Sequence, residues 1–265
     1  MKKIINFLIS LTNGKFYALL RNVLEIAVYR KKFSLFYKTN FYLRKYSNFQ
    51  NIFFYHKERT RMYGRGYEFR LRSLEKIYFI NKIKFNNSDT VIDCGANIGE
   101  IGLIFKFKRI KINYIAFEPS TFEFKCLRKN MRGNLNTLHK IALWKNFSNL
   151  NFYSKSQTAD SSLFKILNYD FVNRVKCKKI DDYNFQNKIK LFKIEAEGAE
   201  PEVLKGAERT LNICKYVSVD AGPERGIEQK TTIKEVCKFL LNRNFILTNK
   251  SSERIVLLFK NKKYI

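Results

Sequence analysis

From about residue 76 onward, the hydrophobic positions alternate between short apolar runs and segments with helical spacing. The apolar runs predict strands, and apolar residues that recur every three to four positions predict helices. Pro201 is typical of the first turn of a helix, and Asn244 of the position just after a helix end. Strands alternating with helices predict an α/β fold, a mostly parallel sheet with helices on both faces. The predicted strands of this sheet are residues 90–93, 112–118, 138–143, 190–195, 216–220, 244–247 and 254–259.

Residues 148–189 follow a less regular pattern. Two strand-like stretches, 149–153 and 171–180, enclose a polar loop at 155–162. Ser161 and Ser162 in this loop are candidates for contact with a substrate or cofactor, and an ordinary loop explains them equally well. Because loops carry most binding specificity, we expect selection of the substrate to lie in this region.

Residues 1–75 are basic and aromatic and are predicted to form a mainly helical N-terminal segment, ahead of a main domain at 76–265. A loop is expected over residues 59–70, which contain two glycines. The stretch 16–29 is mostly apolar, with a polar face, and suits either a helix at a membrane surface or one packed on its own domain. No run of 18 apolar residues occurs, so a membrane-spanning helix is not predicted.

The chain is strongly basic, with 51 lysines and arginines against 23 acidic residues and a formal net charge of +28. Such a balance is typical of proteins that bind nucleic acid or anionic membranes. A chain rich in Lys, Asn, Ile and Phe also reflects an AT-rich genome. Charge alone therefore does not select the partner.

Cysteine and histidine usage argues against a disulfide scaffold and against a metal centre built from these residues. The five cysteines are odd in number and contain no C-x-x-C pair. This pattern argues against a disulfide scaffold or a zinc site and predicts reduced thiols in the cytoplasm. The two histidines leave little material for a histidine metal centre.

An acidic, glycine-rich loop follows the first strand of the main domain. Asp93 ends that strand, and Gly95, Asn97 and Gly99 follow it. Ligands of such sheets bind at the carboxyl ends of the strands. An acid at the loop entrance would repel a pyrophosphate and suits a cationic ligand. Glu118 ends the second strand, where a carboxylate accepts ribose hydroxyls. S-adenosylmethionine joins a cationic amino acid to a nucleoside in this way.

Four segments resemble the FkbM family of S-adenosylmethionine-dependent methyltransferases, over roughly residues 85–260. The segment at residues 192–207 is the most specific. It departs from the family at one position, because the family commonly has Asp where this chain has Glu195. The resemblance implies a Rossmann-like class I methyltransferase fold and O-methylation of a hydroxyl on a sugar, glycan or secondary metabolite. The four segments are DCGANIGE (93–100), AFEPS (116–120), FKIEAEGAEPEVLKGA (192–207) and VDAGP (219–223).

In this interpretation Gly95 and Gly99 let the backbone approach the methionine part of the cofactor. Asp93 helps to place its ammonium group, Asn97 hydrogen-bonds nearby and Glu118 holds the ribose. The adenine pocket is expected to draw on Ala142 and on residues 143–144, where the third strand ends.

Three carboxylates are expected at adjacent strand ends: Glu195, Glu197 and Asp220. A sugar hydroxyl is a poor nucleophile, so the site needs a general base or a metal to take its proton. Glu197 is the first candidate for the base and Glu195 the second, although Glu197 also suits a helix cap. A divalent metal is compatible with the three carboxylates but is not predicted. His139 is a weaker candidate for the base.

Glu200, Glu202 and Glu208 are expected to be first-turn or surface charges of helices. Two alternatives stay open: an RNA methyltransferase, suggested by the charge, and a methyltransferase fold without activity that serves as a binding module. The acidic cluster at 195–200 would repel phosphates, so nucleic acid is not the expected partner. The expected partner is a small-molecule or glycan acceptor. We also expect a cytoplasmic protein that contacts the inner face of an anionic membrane through residues 1–75.

Overall fold

The N-terminal segment contains both helices and strands in the computed structural model, which describes residues 2–30, 32, 34–133, 136–155, 161–251 and 254–264. The mainly helical prediction for residues 1–75 therefore misses a three-stranded antiparallel sheet, ordered β1-β2-β3. The loop expected over 59–70 is reduced to residues 62–66, between two helices. The elements are α1 (Lys2–Ser10), α2 (Gly14–Tyr29), β1 (Leu35–Lys38), β2 (Phe41–Arg44), β3 (Ile52–Phe54), α3 (Lys57–Arg61) and α4 (Tyr67–Ile77).

A seven-stranded sheet forms the centre of the protein. Its order is β13-β14-β12-β11-β4-β5-β6, with parallel pairing from β12 to β6 and antiparallel pairing at β13 and β14. The predicted α/β fold with a mostly parallel sheet is confirmed. The strands are β4 (Thr90–Cys94), β5 (Asn113–Phe117), β6 (Asn136–His139), β11 (Ile189–Ile194), β12 (Cys214–Asp220), β13 (Phe245–Lys250) and β14 (Val256–Asn261).

Helices cover both faces of this sheet, because successive strand residues point to opposite sides. Val91 belongs to the buried cluster that contains residues of α5 (Glu100–Phe107) and α6 (Thr121–Asn130). Ile92 belongs to the cluster that contains residues of α7 (Glu200–Lys205), α8 (Glu208–Leu211) and α9 (Ile233–Leu241). Both faces of the sheet are therefore buried, as parallel sheets require.

The irregular region forms a second, four-stranded sheet ordered β7-β10-β8-β9. The two predicted strands of this region pair antiparallel along their length. Residues 156–160 of the predicted polar loop lie outside the described residues. The strands are β7 (Ala142–Leu143), β8 (Ser148–Ser154), β9 (Ser161–Ser162) and β10 (Phe171–Lys178).

The N-terminal segment packs directly on the main domain. Asn130 of α6 accepts a hydrogen bond from the Phe53 N–H (2.8 Å) and donates one to the Phe53 carbonyl (3.1 Å). Arg70 of α4 forms a two-point ion pair with Glu100 of α5, at 2.8 and 2.9 Å. The division of the chain after residue 75 stays a prediction.

Candidate functional site

A cleft of about 970 Å³ lies at the carboxyl ends of the central strands. We refer to it as the first cleft. It brings together six of the predicted site residues, whereas Asp93, Gly99 and Asp220 do not line it. The six are Gly95, Asn97, Glu118, Ala142, Glu195 and Glu197.

The loop after β4 needs its two glycines for packing within the protein. Gly95 has φ +71°, and a Cβ there would lie 1.8 Å from the carbonyl oxygen of Glu195. Gly99 has φ +91°, and a Cβ there would press on Leu127 of α6 and on Met131 directly after it, at 2.9 and 3.1 Å. The expectation that these glycines only make room for a ligand is thus incomplete, because neighbouring protein atoms already occupy that space.

We expect Gly95→Ala to lower the free energy of unfolding by about 3 kcal/mol or more, because a rigid backbone carbonyl meets the new methyl group. Gly226→Ala is the matched control, since Gly226 has a similar φ of +70° but open space around it. The left-handed backbone alone costs about 1–2 kcal/mol there. Urea unfolding of both variants measures the difference, and equal losses would show that the carbonyl contact is unimportant.

Glu118 is held by the backbone at the edge of the first cleft. Its two carboxylate oxygens accept hydrogen bonds from the N–H groups of Asn97 and Ser120, each at 2.8 Å. Burial, with the nearby Glu123 carboxylate, raises the pKa of Glu118 to about 8. The Oδ1 atom of Asn97 is buried and has no hydrogen-bond partner among the described residues. The cleft thus presents a fixed carboxylate and an unsatisfied acceptor.

Asp93 lies behind the first cleft and is fully buried. Tyr114 donates a hydrogen bond to its Oδ2 at 2.5 Å, and Lys193 Nζ lies 3.0 Å from its Oδ1. Lys193 stands directly opposite Asp93 on the adjacent strand and does line the cleft. Burial alone would lower the pKa of Lys193, but Asp93 and Glu195 raise it. The cation therefore stays charged, and it separates Asp93 from the cleft.

Glu195 is an ion-paired group and a poor proton acceptor. Its carboxylate lies 3.0 Å from Lys193 and 2.6 Å from Arg254. Burial alone would raise the pKa of Glu195, but these two cations lower it to about 2. Such a carboxylate is too weakly basic to take a hydroxyl proton near neutral pH.

Arg254 also explains why the third predicted carboxylate does not reach the first cleft. Asp220 lies 2.6 Å from its Nε, and Glu224 lies 3.6 Å from its guanidinium. Burial and the Glu195 charge raise the pKa of Asp220 to about 6, and burial with Asp220 raises that of Glu224 to about 8. Among the described residues, no three His, Cys, Asp or Glu side chains form a group that could hold a metal ion.

Glu197 occupies the boundary between the first cleft and a second, larger cleft of about 1900 Å³. Its backbone has φ +49°, in the left-handed region that is uncommon for residues other than glycine. Ser162 donates a hydrogen bond to its carbonyl oxygen at 2.7 Å. A strained residue held in this way at a cleft is a candidate for function.

Glu200 and Glu202 lie in the first turn of α7, as expected, but both are buried and neither is a surface charge. Glu200 accepts hydrogen bonds from the N–H groups of Ala196 and Gly198, each at 3.0 Å, and from the Thr232 hydroxyl at 2.8 Å. It therefore fixes the loop that carries Glu197. Glu202 pairs with Arg225 and Glu208 with Arg243, and only Glu208 is exposed as expected.

The opposite wall of the first cleft is apolar. Ala142 and Leu143 line it as predicted for an adenine pocket, together with Ile141 and Phe152. Trp144 does not line it. His139 stacks on Phe117 with the ring centroids 4.8 Å apart, and burial lowers its pKa. His139 is therefore a packing residue.

Sequence reasoning named no individual residue of the N-terminal segment as part of the site. Arg59 of α3 lines both clefts, and no described carboxylate lies within ion-pair distance of it. Asn6 and Arg21 line the second cleft, which also includes Ser161 and Ser162. Basic residues in a segment of unknown role offered no signal that could place them at the strand ends.

Comparison with known proteins gives one family and a general likeness of fold. The model described as "Methyltransferase FkbM domain" matches residues 93–247, more than half of the chain. The search of curated proteins gives no match.

Solved structures show a more distant similarity, and none of these scores supports an argument about substrate. The ribosomal protein L11 methylase from Lactobacillus delbrueckii subsp. bulgaricus is 13% identical, covering 73% of this chain and 77% of that chain, with a TM-score of 0.43. TrmK from M. capricolum, solved with S-adenosyl-homocysteine, is 12% identical (73% and 68% covered, TM-score 0.41). A SAM-dependent methyltransferase from Aquifex aeolicus is 11% identical (72% and 96% covered, TM-score 0.42).

Proposed function

The chain belongs to the FkbM methyltransferase family, and on that premise we propose that it methylates a hydroxyl of a sugar, glycan or secondary metabolite with S-adenosylmethionine as methyl donor. One observation carries the proposal: Glu118 and Asn97 line one cleft at the carboxyl ends of the strands, and the buried Oδ1 atom of Asn97 has no hydrogen-bond partner among the described residues. When bound, S-adenosylmethionine supplies a methyl group activated by its sulfonium.

The residues of the first cleft fit this cofactor. Glu118 accepts the two hydroxyls of the ribose, and Asn97 Oδ1 accepts a hydrogen bond from the ammonium group. Ala142, with Ile141 and Phe152, gives the adenine an apolar wall. We propose that Asp93 acts indirectly in this site, as the positioning residue that holds Lys193.

We propose Glu197 as the general base. Its position at the boundary of the two clefts lets it meet both the methyl donor and an acceptor in the second cleft. Glu195 and Arg254 then form a charged wall that orients the reactants rather than taking the proton, and the buried Asp220 positions Arg254. In methyl transfer the protein mainly aligns the two reactants and excludes water. Arg59 suits an anionic group on either reactant.

The second cleft suits a polar acceptor. Its lining mixes arginines with carboxylates and includes the two loop serines, Ser161 and Ser162. Hydroxyl and carboxylate groups in this number suit the hydroxyls of a sugar.

Transfer of a labelled methyl group tests the proposed reaction. The enzyme is incubated with tritium-labelled S-adenosylmethionine and, separately, with a bacterial cell-envelope glycan extract, a small-metabolite extract and total RNA. We expect label in the glycan or metabolite fraction that survives mild alkali, because ethers resist hydrolysis and esters do not. Label in RNA that ribonuclease releases would favour the RNA methyltransferase, and no label anywhere despite cofactor binding would favour an inactive binding module.

Cofactor binding is expected to release a proton from Glu118. The pKa of this carboxyl is about 8 in the protein, and ribose hydroxyls favour its ionised form, so binding lowers the pKa. Affinity for S-adenosylhomocysteine should therefore rise severalfold between about pH 6 and pH 8.5 and then level off. Calorimetry at neutral pH in two buffers of different ionisation enthalpy counts the proton. The same pH dependence in Glu118→Gln would contradict this assignment.

We also propose that the enzyme works in the cytoplasm, with residues 1–75 in peripheral contact with an anionic membrane. The surface that would make this contact is argued below.

A further inference from the structure

Helix α2 buries charged groups and exposes apolar ones. Arg21 and Glu25, one turn apart on its polar face, are only 6% and 3% exposed. Arg21 pairs with Glu25 at 2.9 Å, and Arg44 of β2 pairs with the same carboxylate at 2.6 Å. Asn22 donates a hydrogen bond to the Leu35 carbonyl at 2.6 Å. A buried ion-pair network fixes which side of the helix faces inward, because removing any partner leaves an unpaired buried charge.

The outward side of the same helix is apolar. Among the residues whose side chains the structure describes, seven of the sixteen exposed large hydrophobic ones lie between residues 7 and 26. We define them as the apolar face. Four of them, on α2, follow the helical spacing i, i+3, i+7, i+10, so they form one stripe. Single exposed apolar residues are ordinary, but a contiguous set marks a binding surface. The apolar face consists of Phe7, Leu8, Leu11, Phe16, Leu19, Val23 and Ile26.

The charge around the apolar face selects its partner. Lys15, Arg30 and Lys32 are exposed beside it along the chain. Glu25 is the one acidic residue in the sequence before residue 58, and it is buried. Residues 1–72 carry 16 basic and 3 acidic residues. An apolar stripe with only basic exposed charges is complementary to an anionic lipid surface.

The length of the helices excludes a spanning arrangement for this part of the chain. Helix α2 has 16 residues and would measure about 24 Å. Among the described residues, no helix is long and apolar enough to cross a bilayer. An interfacial helix instead lies in the plane of the membrane with its apolar face in the headgroup region.

We propose that the apolar face of α1 and α2 docks the enzyme on an anionic lipid bilayer. The same two helices supply Asn6 and Arg21 to the wall of the second cleft. Since Arg21 lies on the inward side of α2, docking holds the second cleft about one helix diameter, ~10 Å, from the lipid headgroups, where it would take a hydroxyl of a sugar carried on a lipid. This last step rests on the proposed function, whereas docking itself does not.

Co-sedimentation of the full chain with vesicles tests the proposal. The vesicles are phosphatidylcholine alone and phosphatidylcholine mixed with phosphatidylglycerol. The test variant is Phe16→Ser/Leu19→Ser/Val23→Ser, whose three side chains are 58%, 48% and 55% exposed. We expect the unaltered protein to bind the anionic vesicles at least tenfold more tightly than the neutral ones. The test variant should lose at least tenfold in affinity for the anionic vesicles.

The control variant removes three equally exposed apolar side chains outside the apolar face: Phe147→Ser/Leu241→Ser/Leu247→Ser. It should bind the vesicles as the unaltered protein does. Absence of vesicle binding by the unaltered protein, or equal binding by the test variant, would overturn the proposal. So would a dimer in analytical ultracentrifugation that the test variant dissociates, because a second copy would then cover the apolar face.

Titration of all three proteins with S-adenosylhomocysteine keeps the two proposals separate. We expect equal cofactor binding in the three proteins, which would also show that the variants are folded. If none binds S-adenosylhomocysteine, the proposed function fails while the vesicle result stands on its own.

Discussion

At about pH 8.5, where the Glu118 carboxyl with its pKa of about 8 is mostly ionised, replacing Glu118 by glutamine is expected to weaken S-adenosylhomocysteine binding at least tenfold without unfolding the protein. The carboxylate accepts two backbone N–H groups and is positioned to accept two ribose hydroxyls as well. A hydrogen bond to a charged acceptor contributes about 1.5–3 kcal/mol, which is tenfold or more in affinity. The fold should tolerate the change, because the raised pKa shows that burial already disfavours the charged form.

Isothermal titration calorimetry measures this effect, with Glu75→Gln as the control. Glu75 is a buried glutamate that pairs with Lys108 and lies outside both clefts. The control should bind S-adenosylhomocysteine within about twofold of the unaltered protein. Equal affinities for Glu118→Gln and the unaltered protein would remove Glu118 from the cofactor site.

Glu197→Gln should lower kcat about 100-fold or more and leave S-adenosylhomocysteine affinity unchanged. A positioned general base contributes about 10²–10⁴ in rate, and glutamine keeps the shape of the side chain without its basicity. The substitution also leaves the strained backbone at φ +49° as it is. The assay is transfer of labelled methyl to the acceptor fraction identified above, with kcat and KM measured separately.

Glu224→Gln is the matched control for this variant. Glu224 also lines the second cleft, but burial and Asp220 raise its pKa to about 8. Its carboxyl is therefore mostly protonated at neutral pH, and glutamine resembles that form. We expect less than about threefold loss in kcat. A large loss in Glu224→Gln with full activity in Glu197→Gln would exchange the roles of the two residues.

The central sheet could be predicted because its signals are local. Short apolar runs such as β4 and β12, separated by helices with helical spacing, specify strands buried on both faces. The antiparallel sheet β1-β2-β3 could not be predicted in the same way. Its strands are three or four residues long and show no alternation of polar and apolar residues, so pairing with distant residues decides the structure.

The edge of the sheet that carries the site could also be predicted, since parallel strands end together. The pairing of charges at that edge could not. Lys193 offers one indication of this charge pairing, because a lysine inside a buried strand requires an anionic partner. Its position opposite Asp93 depends on strand register, and the contact of Glu195 with Arg254 joins residues 59 positions apart. The burial of Glu200 could not be predicted, because its hydrogen bonds reach back into the preceding loop.

The most direct test of the account is calorimetric titration of the unaltered protein with S-adenosylhomocysteine. The account predicts one site per chain with a dissociation constant in the micromolar range. A folded protein that gives no binding heat at millimolar ligand in two buffers would contradict it, because the first cleft would then not be a cofactor site.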